Sequence, residues 1–576
     1  MKFVARYLKK YKAQAILAPL LKMLEATFEL LVPLVMANII DRGIHNQDFA
    51  YIVKMSGVLV LLAVVGLGVS ITAQYFSAKV AVNCSADIRR DMFVKIMSLS
   101  TGQQDKVGTD VLTTRITSDI NQIQNTVNMV LRLFLRSPFI VLGATIMAFI
   151  VNPKCAIVFL IVVPVLSLIV YLVMKYTLPR YKQIQKSLEG VMKAVSENLE
   201  GVRVLRAFNC QDSEKDIFFG KTKDLADMQT TTGSVAALLN PVTYVVVNLG
   251  IVGLLLFSSK QVDAGTMLTG EVVAIVNYMS QILVELIKLA NLIVLLMKAF
   301  PSAGRVEEIM NMANDERVHG KNANDADNFD IVFENVSFQY QDASEPAIEN
   351  ISFSIPEGSV FGIIGGTGSG KSTLLHLFYH DYDATEGKIT LGGQNINEFE
   401  DSHISNIYGV VPQKATLFAG KVRENLSMKS HMDTSDETMR EALRMACAYD
   451  FVMEKEGGLD AKVERNGRNF SGGQRQRLTI ARGLMGDPRV IILDDSASAL
   501  DLVTEAKLYK NLLGMKHKPT IIIVSQRASS VKKADQILCM EDGHVVGLGN
   551  HETLLKTCPT YEEIYYCQYP REGGSE

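Results

Sequence analysis

The chain has 576 residues, 48% of them hydrophobic, and a formal net charge of −3. A net charge this close to zero excludes a general nucleic-acid-binding surface, so no nucleic-acid partner is predicted. The seven cysteines are scattered singly, without the spacing of a disulfide framework or a metal cluster. Residues 1–300 are rich in Leu, Val, Ile, Ala and Met, whereas the rest has the composition of a soluble domain, which predicts two different domains.

Six apolar stretches within residues 1–300 are each long enough to cross a bilayer, which takes about 20 residues at about 1.5 Å per residue. They lie near residues 15–40, 56–78, 129–151, 155–176, 235–258 and 268–298. The sequence therefore predicts an α-helical transmembrane domain of six spans. The basic segment 1–12 is predicted to form a helix at the membrane surface rather than a cleaved signal, because Lys22, Glu25 and Glu29 interrupt the apolar run after it.

The charge of the loops predicts the orientation in the membrane. Lysines and arginines are concentrated in the N-terminus and in the loops 85–125 and 177–232. Those of the opposite side are Arg42, Lys54, Lys154 and Lys260. The positive-inside rule then places both termini and the two long loops in the cytoplasm of a multi-pass protein of the cell membrane. Both loops keep a helical period, so the helices are expected to continue past the membrane as long cytoplasmic extensions.

Ionisable side chains fall at membrane depth in the first and sixth predicted spans. They are Lys22, Glu25, Glu29, Glu285 and Lys288. Such groups usually face a bundle interior or a wet cavity, so pairing within the bundle and contact with a transported molecule both remain open. Arg132 and Arg136, near the inner end of the third span, are predicted to extend to the membrane interface.

Residues 301–327 are polar and weakly periodic, which predicts a linker. From residue 328 onward the pattern changes to short strands and turns, and one apolar strand leads into a glycine-rich loop at residues 365–373. The pattern G-x-x-x-x-G-K-S in this loop follows a strand and opens a helix, which is the context that a phosphate-binding loop requires. Residues 328–576 are therefore predicted to form a nucleotide-binding domain.

The phosphate-binding loop supplies groups that suit ATP and its metal ion. Its glycines let backbone N–H groups close around the phosphates, and Lys371 reaches the β- and γ-phosphates. The predicted Mg²⁺ ligands are Ser372, Gln413 and Asp494, the last at the end of an apolar strand. The predicted nucleotide contacts of the loop are Gly365, Thr367, Gly368, Ser369, Gly370, Lys371, Ser372 and Thr373.

Four further motifs accompany the loop in a fixed order. They are Gln413, Ser471-Gly472-Gly473-Gln474, the acidic strand end and Ser498-Ala499-Leu500-Asp501. In this order and spacing they resemble the cassette of the ATP-binding cassette (ABC) transporters, which implies an α/β domain with ATP and Mg²⁺ as ligands. Tyr340 matches the aromatic residue that stacks on adenine. The further nucleotide contacts that the resemblance implies are Gln413, Ser471, Gly472, Gly473, Gln474 and Asp501.

The N-terminal half resembles the same family. Residues 108–120 and 197–209 are similar to the inner loops of the exporter class, whose short coupling helices dock on the cassettes. The whole chain thus resembles an exporter half-transporter, with membrane lipid and a small amphipathic substrate as partners. The resemblance implies two cassettes that enclose two ATP molecules. Each ATP lies between one chain's phosphate-binding loop and the other chain's signature motif Ser471–Gln474, whose helix N-terminus suits the γ-phosphate.

Two positions on the hydrolytic side depart from the family pattern. The family has a glutamate after the Mg²⁺ aspartate, to polarise the attacking water, and a histidine that contacts the γ-phosphate; here these are Asp495 and Gln526. The shorter Asp495 side chain is expected to end about 1.5 Å short of the water. Misplacing a general base can forfeit much of a rate contribution of about 10²–10⁴-fold. The site is therefore predicted to bind ATP and to hydrolyse it slowly.

The intact signature motif favours a heterodimer. A homodimer would combine two impaired hydrolytic sites with two good signature motifs, whereas a non-identical half-transporter could bring the Glu and His of a competent site that this chain's signature completes. This combination is typical of heterodimeric multidrug-type exporters. The alternatives are a working homodimer that tolerates both changes, an ATP-gated channel or regulatory receptor on the same scaffold, and a lipid flippase or peptide exporter.

Overall fold

The computed structural model describes residues 2–313, 328–340, 343–428, 434–496 and 499–569. The described residues divide into two compact units. Residues up to Met97 and Gly108–Met312 form the first unit, whereas Ser98–Val107 and the residues from Ala313 onward form the second.

The first unit is built from helices. They are α1 (Lys2–Leu8), α2 (Lys12–Asn38), α3 (Phe49–Met97), α5 (Thr109–Thr114), α6 (Ile120–Leu133), α7 (Arg136–Val151), α8 (Pro153–Glu200), α9 (Val202–Ala207), α10 (Gln211–Ala237), α11 (Leu239–Asp263) and α12 (Thr269–Met310), with α4 (Thr101–Val107) in the second unit. Short π-helical turns cover Ile39–Ile44 and Arg115–Asp119. The apolar core of this unit lies between α2, α7, α8, α11 and α12.

Five helical stretches of the described residues are long and apolar enough to cross a membrane. They are Phe3–Ile44, Phe49–Met97, Thr109–Val151, Pro153–Glu200 and Gln211–Asp263. The sixth predicted span falls in α12, which is not among the five, so the count of six stays a prediction. With 49 and 48 residues, α3 and α8 exceed the about 20 residues of a span, which confirms that helices continue beyond it.

The predicted linker 301–327 is wrong at its start, because helix α12 extends into it. The helix has 42 residues and continues through Pro301 to Met310, so the first ten residues of the range 301–327 are helical. Its last turns bury Ser302, Ala303, Val306 and Ile309. A period of three and four buries these side chains along one face, and the polar residues between them made the segment resemble a linker. Residues 314–327 lie outside the described residues.

The second unit combines strands with short helices. The strands are β1 (Ile331–Phe338), β2 (Ile348–Ile355), β3 (Val360–Gly365), β4 (Glu386–Leu391), β5 (Gln394–Asn395), β6 (Tyr408–Val411), β7 (Gly420–Lys421), β8 (Lys462–Val463), β9 (Val490–Asp494), β10 (Thr520–Val524), β11 (Gln536–Glu541) and β12 (His544–Gly549). The helices are α13 (Lys371–Phe378), α14 (Asp401–Ile407), α15 (Val422–Leu426), α16 (Asp436–Met445), α17 (Tyr449–Met453), α18 (Gly472–Leu484), α19 (Leu502–Leu513), α20 (Ala528–Val531), α21 (His551–Thr557) and α22 (Pro559–Gln568).

The central sheet of the second unit has the order β12-β11-β3-β10-β9-β6 in the described residues. Strands β11, β3, β10, β9 and β6 pair in parallel, and β12 pairs antiparallel with β11. The runs VFGIIG, VIILD and TIIIV are almost wholly buried, as β-branched strands covered on both faces are. A second, antiparallel sheet has the order β2-β1-β4-β5. This architecture confirms the predicted α/β domain.

The short helix α4 belongs to the second unit, although the predicted boundaries assigned it to the first domain. The Tyr382 hydroxyl donates a hydrogen bond of 2.6 Å to the Asp105 carboxylate, and Gln103 donates to the Ala313 carbonyl oxygen. Gly102 packs so closely on the Tyr382 ring that a Cβ there would lie 3.2 Å from it. These contacts, distant in sequence, are why a boundary drawn from composition misassigned this helix.

Candidate nucleotide-binding site

The candidate site lies where three parallel strands end. Gly365, Asp494 and Val524 are the last residues of β3, β9 and β10, and the strand register pairs Val524 directly with Asp494. The carboxyl ends of parallel strands lie at one edge of a sheet, where α/β proteins bind their ligands. The fold thus brings the predicted phosphate-binding loop and the predicted acidic strand end to the same edge.

Glycine backbone shapes the phosphate-binding loop. Gly368 and Gly370 have φ values of +84° and +93°, in the left-handed region that side chains disfavour. A Cβ on Gly365 would lie 2.3 Å from the Met540 carbonyl oxygen, so this position admits no side chain. The loop consequently turns sharply from β3 into α13 and places Ser372, whose side chain is exposed, in the first turn of the helix.

Lys371 lies across the loop that precedes it. Its ammonium donates to the Gly365 carbonyl oxygen at 2.9 Å, to the Gly366 carbonyl oxygen and to the Ser369 hydroxyl at 3.1 Å. Burial lowers the pKa of Lys371, while the charges of Asp494 and Asp495 act in the opposite direction. The cation is therefore held inside the loop, beside two carboxylates.

Asp494 and Asp495 differ in their surroundings although they are neighbours in the chain. Burial raises the pKa of Asp494; a hydrogen bond from the Gln413 backbone N–H lowers it, and the Asp495 charge raises it further. Asp495 has left the strand with a φ of +41°, its N–H donates to the Val524 carbonyl oxygen, and its carboxylate lies 3.5 Å from the Ser525 hydroxyl. The structure thus brings Gln413, Asp494 and Asp495 together at one strand end.

Gln526 follows strand β10, two residues beyond its last residue. Its side chain is exposed, and its carbonyl oxygen accepts a hydrogen bond of 2.8 Å from the Gln568 amide. Ser525, between the strand and Gln526, contacts the Asp495 carboxylate. The two positions that depart from the family pattern therefore lie on adjacent strand ends.

Tyr340 is anchored beside the loop. Its hydroxyl and that of Thr373 are 3.1 Å apart, and its ring makes edge contacts with Phe338 and Tyr382, at centroid distances of 4.9 and 5.5 Å. A half-buried ring next to the first turn of α13 is suited to stack on the base of a nucleotide whose phosphates the preceding loop would hold.

The sequence interpretation missed one group of residues next to the site. His376 lies one helical turn after Ser372, and its Nδ1 is 3.0 Å from both the Asp381 carboxylate and the Tyr379 hydroxyl. Its ring also contacts the edge of Tyr382. The signal that could have revealed it is the spacing of four residues from Ser372, which places both side chains on one helix face.

The signature motif caps helix α18. The Ser471 hydroxyl accepts a hydrogen bond from the Gln474 N–H at 3.3 Å, and the Gln474 side-chain oxygen accepts one from the Ser471 N–H at 3.0 Å. This capping box leaves Ser471 and Gly472 exposed at the positive end of the helix. The motif is thus preorganised to receive an anion.

Asp501 caps the next helix in the same way. Its carboxylate accepts from the Thr504 N–H at 2.9 Å and from the Thr504 hydroxyl at 2.7 Å, and both bonds lower the pKa of Asp501. A Cβ on Gly473 would lie 3.3 Å from the Ala499 carbonyl oxygen, so the signature motif and the segment before Asp501 are neighbours. Ser498 of the predicted motif lies outside the described residues.

Ionised side chains also form a buried network in the first unit. Arg136 is 8% exposed and donates to Glu285 at 2.9 Å and to Glu29 at 2.7 Å. The prediction that Arg136 extends to the membrane interface is therefore wrong, since two carboxylates on α2 and α12 hold it in the bundle. Glu285 also accepts from Lys288 at 2.8 Å, as the pairing alternative predicts, and Lys22 pairs with Glu25.

The donor set of the strand-end site fits the predicted ligands. A lysine ammonium and a loop with two left-handed glycines suit a triphosphate, and the Ser372 hydroxyl, the Asp494 carboxylate and the Gln413 amide are oxygen ligands of the kind that Mg²⁺ prefers. A bound Mg²⁺ would neutralise phosphate charge. The residues of this chain can bind and orient a nucleotide, and Asp495, directly after Asp494, is the second carboxylate at this strand end.

Replacing Lys371 with Met is expected to weaken ATP binding to the purified full-length chain by roughly 10²-fold, because charge-assisted hydrogen bonds contribute about 1.5–3 kcal/mol. Titration with a fluorescent ATP analogue measures the dissociation constant. Lys388→Met, on the exposed end of β4, is the matched control and should bind as the unchanged chain does. Equal affinities for both variants would contradict the assigned role of Lys371.

Comparisons with known proteins agree with this geometry. The family described as ABC transporter transmembrane region matches residues 15–286, and the family described as ABC transporter matches residues 348–498. An uncharacterized ABC transporter ATP-binding protein of Mycobacterium tuberculosis is 33% identical over 569 residues, covering 97% of this chain and 96% of that protein. A further one, from Bacillus subtilis, is 32% identical and covers 99% and 98%.

More distant relatives include a protein that is named for its activity. The ATP-dependent lipid A-core flippase of Photorhabdus laumondii is 27% identical over 560 residues, which cover 97% of this chain and 96% of the flippase. Similarity along almost the whole length, together with both family matches, shows the family. The chain belongs to the ABC transporter family and has the exporter-type arrangement, a transmembrane region followed by an ATP-binding domain in one polypeptide.

Proposed function

We propose that the chain is the degenerate-site half of a heterodimeric ABC exporter that moves amphipathic molecules out of the cytoplasm. It crosses the cell membrane six times with both termini in the cytoplasm. Its own site holds ATP and Mg²⁺ and hydrolyses ATP slowly. A second, non-identical half-transporter supplies the Glu and His of a competent site, which the signature motif of this chain completes.

The observation that carries the proposal is the contrast between the two sides of the nucleotide-binding domain. The binding side is complete: Lys371 is held within its loop and Ser471 is exposed on an intact capping box. The hydrolytic side has Asp495 and Gln526 on adjacent strand ends. Both departures affect one chemical step, which favours a division of labour between two chains over unrelated changes.

A test of the division of labour uses the signature serine. In the complex with the second half-transporter, Ser471→Asp is expected to lower ATP turnover by about 10²-fold, because a carboxylate repels the γ-phosphate of the partner's site. Aspartate is as good a helix cap as serine, so the helix should stay folded, whereas Ser471→Ala loses the cap at about 1 kcal/mol. Turnover that Ser471→Asp leaves unchanged would contradict the proposal that this motif completes the hydrolytic site.

Transport itself is tested in proteoliposomes. With the second half-transporter present, ATP should drive an amphipathic fluorescent substrate against its gradient, and flux that runs only downhill would favour the ATP-gated channel. A lipid is the second candidate for the substrate, because relatives that align along the whole chain are named lipid A-core flippases. ATP-dependent movement of a labelled lipid, without export of the dye, would favour that candidate.

A further inference from the structure

A row of alternating charges joins helices α2, α7 and α12 in the first unit. Arg136 donates to Glu29 at 2.7 Å on one side and to Glu285 at 2.9 Å on the other. The same oxygen of Glu285 accepts from Lys288 at 2.8 Å, and the second oxygen accepts from the Ser137 hydroxyl at 2.7 Å. The charges therefore run minus, plus, minus, plus through contacts shorter than 3 Å.

The inner and outer members of this charge row differ in exposure. Arg136 and Glu285 are buried, whereas the side chains of Glu29 and Lys288 are 45% and 40% exposed. The Glu285 carboxylate accepts hydrogen bonds from three donors, Arg136, Ser137 and Lys288. Glu29 and Lys288 can still form hydrogen bonds to a ligand, since a carboxylate accepts up to about four hydrogen bonds and an ammonium has three donors. The row therefore presents an acceptor at one end and donors at the other.

The surface next to the charge row is polar along one face of α12. Its exposed or half-exposed polar members are Asn277, Ser280, Gln281, Lys288 and Asn291, and the exposed Val284 lies between Gln281 and Lys288 on the same face. Lipid tails do not tolerate such a stripe, so this face lines a protein-enclosed or wet cavity. Two buried polar atoms beside the row, Nε of Arg136 and Oε1 of Gln281, lack a hydrogen-bond partner within the described part of the chain.

The charge pattern selects among ligands. The exposed Glu29 carboxylate repels a purely anionic headgroup, and the exposed Lys288 ammonium repels a purely cationic one. A headgroup with both an ammonium and a phosphate satisfies both ends. Exposed Leu24, Leu31 and Val32 on α2 offer apolar surface on the same helix as Glu29.

We propose that Glu29 and Lys288 form a two-point site for a zwitterionic amphiphile, with the ligand ammonium on Glu29 and the ligand phosphate on Lys288. This inference rests on the proposed exporter, whose substrate path the polar face of α12 would line. Arg136 and Glu285 are positioning residues, because they hold the two ends and neutralise each other between them.

The test measures lipid binding by native mass spectrometry of the full-length chain in detergent. The probes are dioleoyl phosphatidylethanolamine, dioleoyl phosphatidylglycerol and a dioleoyl trimethylammonium lipid, which share acyl chains and differ in headgroup charge. The unchanged chain should bind the phosphatidylethanolamine about tenfold more tightly than either other lipid, as one charged contact predicts. Competition by glycerophosphoethanolamine shows whether the headgroup alone is recognised or the whole lipid.

Two variants should change the preference in opposite directions. Glu29→Gln should lose the discrimination against phosphatidylglycerol, and Lys288→Gln the discrimination against the cationic lipid; a merely structural role predicts no such reciprocity. Both variants keep the Arg136–Glu285 pair, and their unfolding temperatures show whether they fold. Glu308→Gln and Lys298→Gln are matched controls. Both residues are exposed on α12, and both variants should keep the full lipid preference.

Three outcomes would overturn the site. They are equal binding of the three lipids by the unchanged chain, a preference that survives in both variants, and loss of all binding when the second half-transporter covers this face. Uphill export without a headgroup preference would overturn this inference alone and leave the proposed exporter standing.

Discussion

Restoring glutamate and histidine together, as Asp495→Glu with Gln526→His, is expected to raise ATP turnover at this chain's own site by about 10²-fold or more. The physical reason is reach: glutamate extends the carboxylate by about 1.5 Å toward the attacking water, and a well-placed general base contributes about 10²–10⁴-fold. Both residues lie on adjacent strand ends, β9 and β10, so the exchange needs no change of backbone path. Phosphate release measures the turnover.

The measured ATP turnover must come from this chain's own site alone. The assay therefore uses the complex in which the partner's general base has been removed, and it includes Asp495→Asn, which keeps the size of the side chain and removes its charge. Little change from Asp495→Asn together with a large gain from the double substitution would support a degenerate site. If the unchanged chain hydrolyses ATP rapidly and Asp495→Asn abolishes this turnover, the proposal is contradicted, because Asp495 would then be a working general base.

Replacing Arg136 with Met is expected to destabilise the first unit by about 3–5 kcal/mol, because it leaves the buried Glu285 carboxylate and Glu29 without the cation between them. Lys288 and Ser137 still donate to Glu285, so the expected loss lies at the lower end of this range. The measurement is thermal unfolding of the full-length chain in detergent, monitored by the accessibility of its cysteines or by the fluorescence of a bound dye.

Two comparisons isolate the buried charge as the cause. Arg90→Met removes an arginine whose side chain is 66% exposed, and surface ion pairs contribute only about 0–1 kcal/mol, so this control should be nearly neutral. The double variant Arg136→Met with Glu285→Leu should recover much of the stability, since it removes both buried charges. If Arg136→Met unfolds at the same temperature as Arg90→Met, the buried network does not stabilise the fold.

Short stretches of sequence predicted the residues of the candidate nucleotide site. Residues 365–373 carry their own glycines, lysine and hydroxyls, and the hydrophobic strands that end at Gly365 and Asp494 are visible as apolar runs. Local signals of this kind need no long-range information, because the loop backbone follows from the residues themselves. Glu285 and Lys288, three residues apart on one helix, were open to the same local reasoning.

Contacts between distant residues were beyond that reasoning. Arg136 bonds to Glu29 and Glu285, which are 107 and 149 positions away, and its position near a span end favoured the interface instead. The bond from Tyr382 to Asp105 joins residues 277 positions apart and draws α4 into the second unit. Periodicity reports which face of a helix is apolar and says nothing about the partner that faces it.

The sequence by itself determined an ABC transporter chain, and it predicted a complete ATP-binding loop, an intact signature motif and two departures on the hydrolytic side, because each of these is a local arrangement of residue types. The tertiary structure alone decided where charges meet. It placed Arg136 between two carboxylates, left Glu29 and Lys288 half exposed at the ends of the row, and set His376 against Asp381. Those positions result from packing between elements far apart in the chain, and only the folded chain has them.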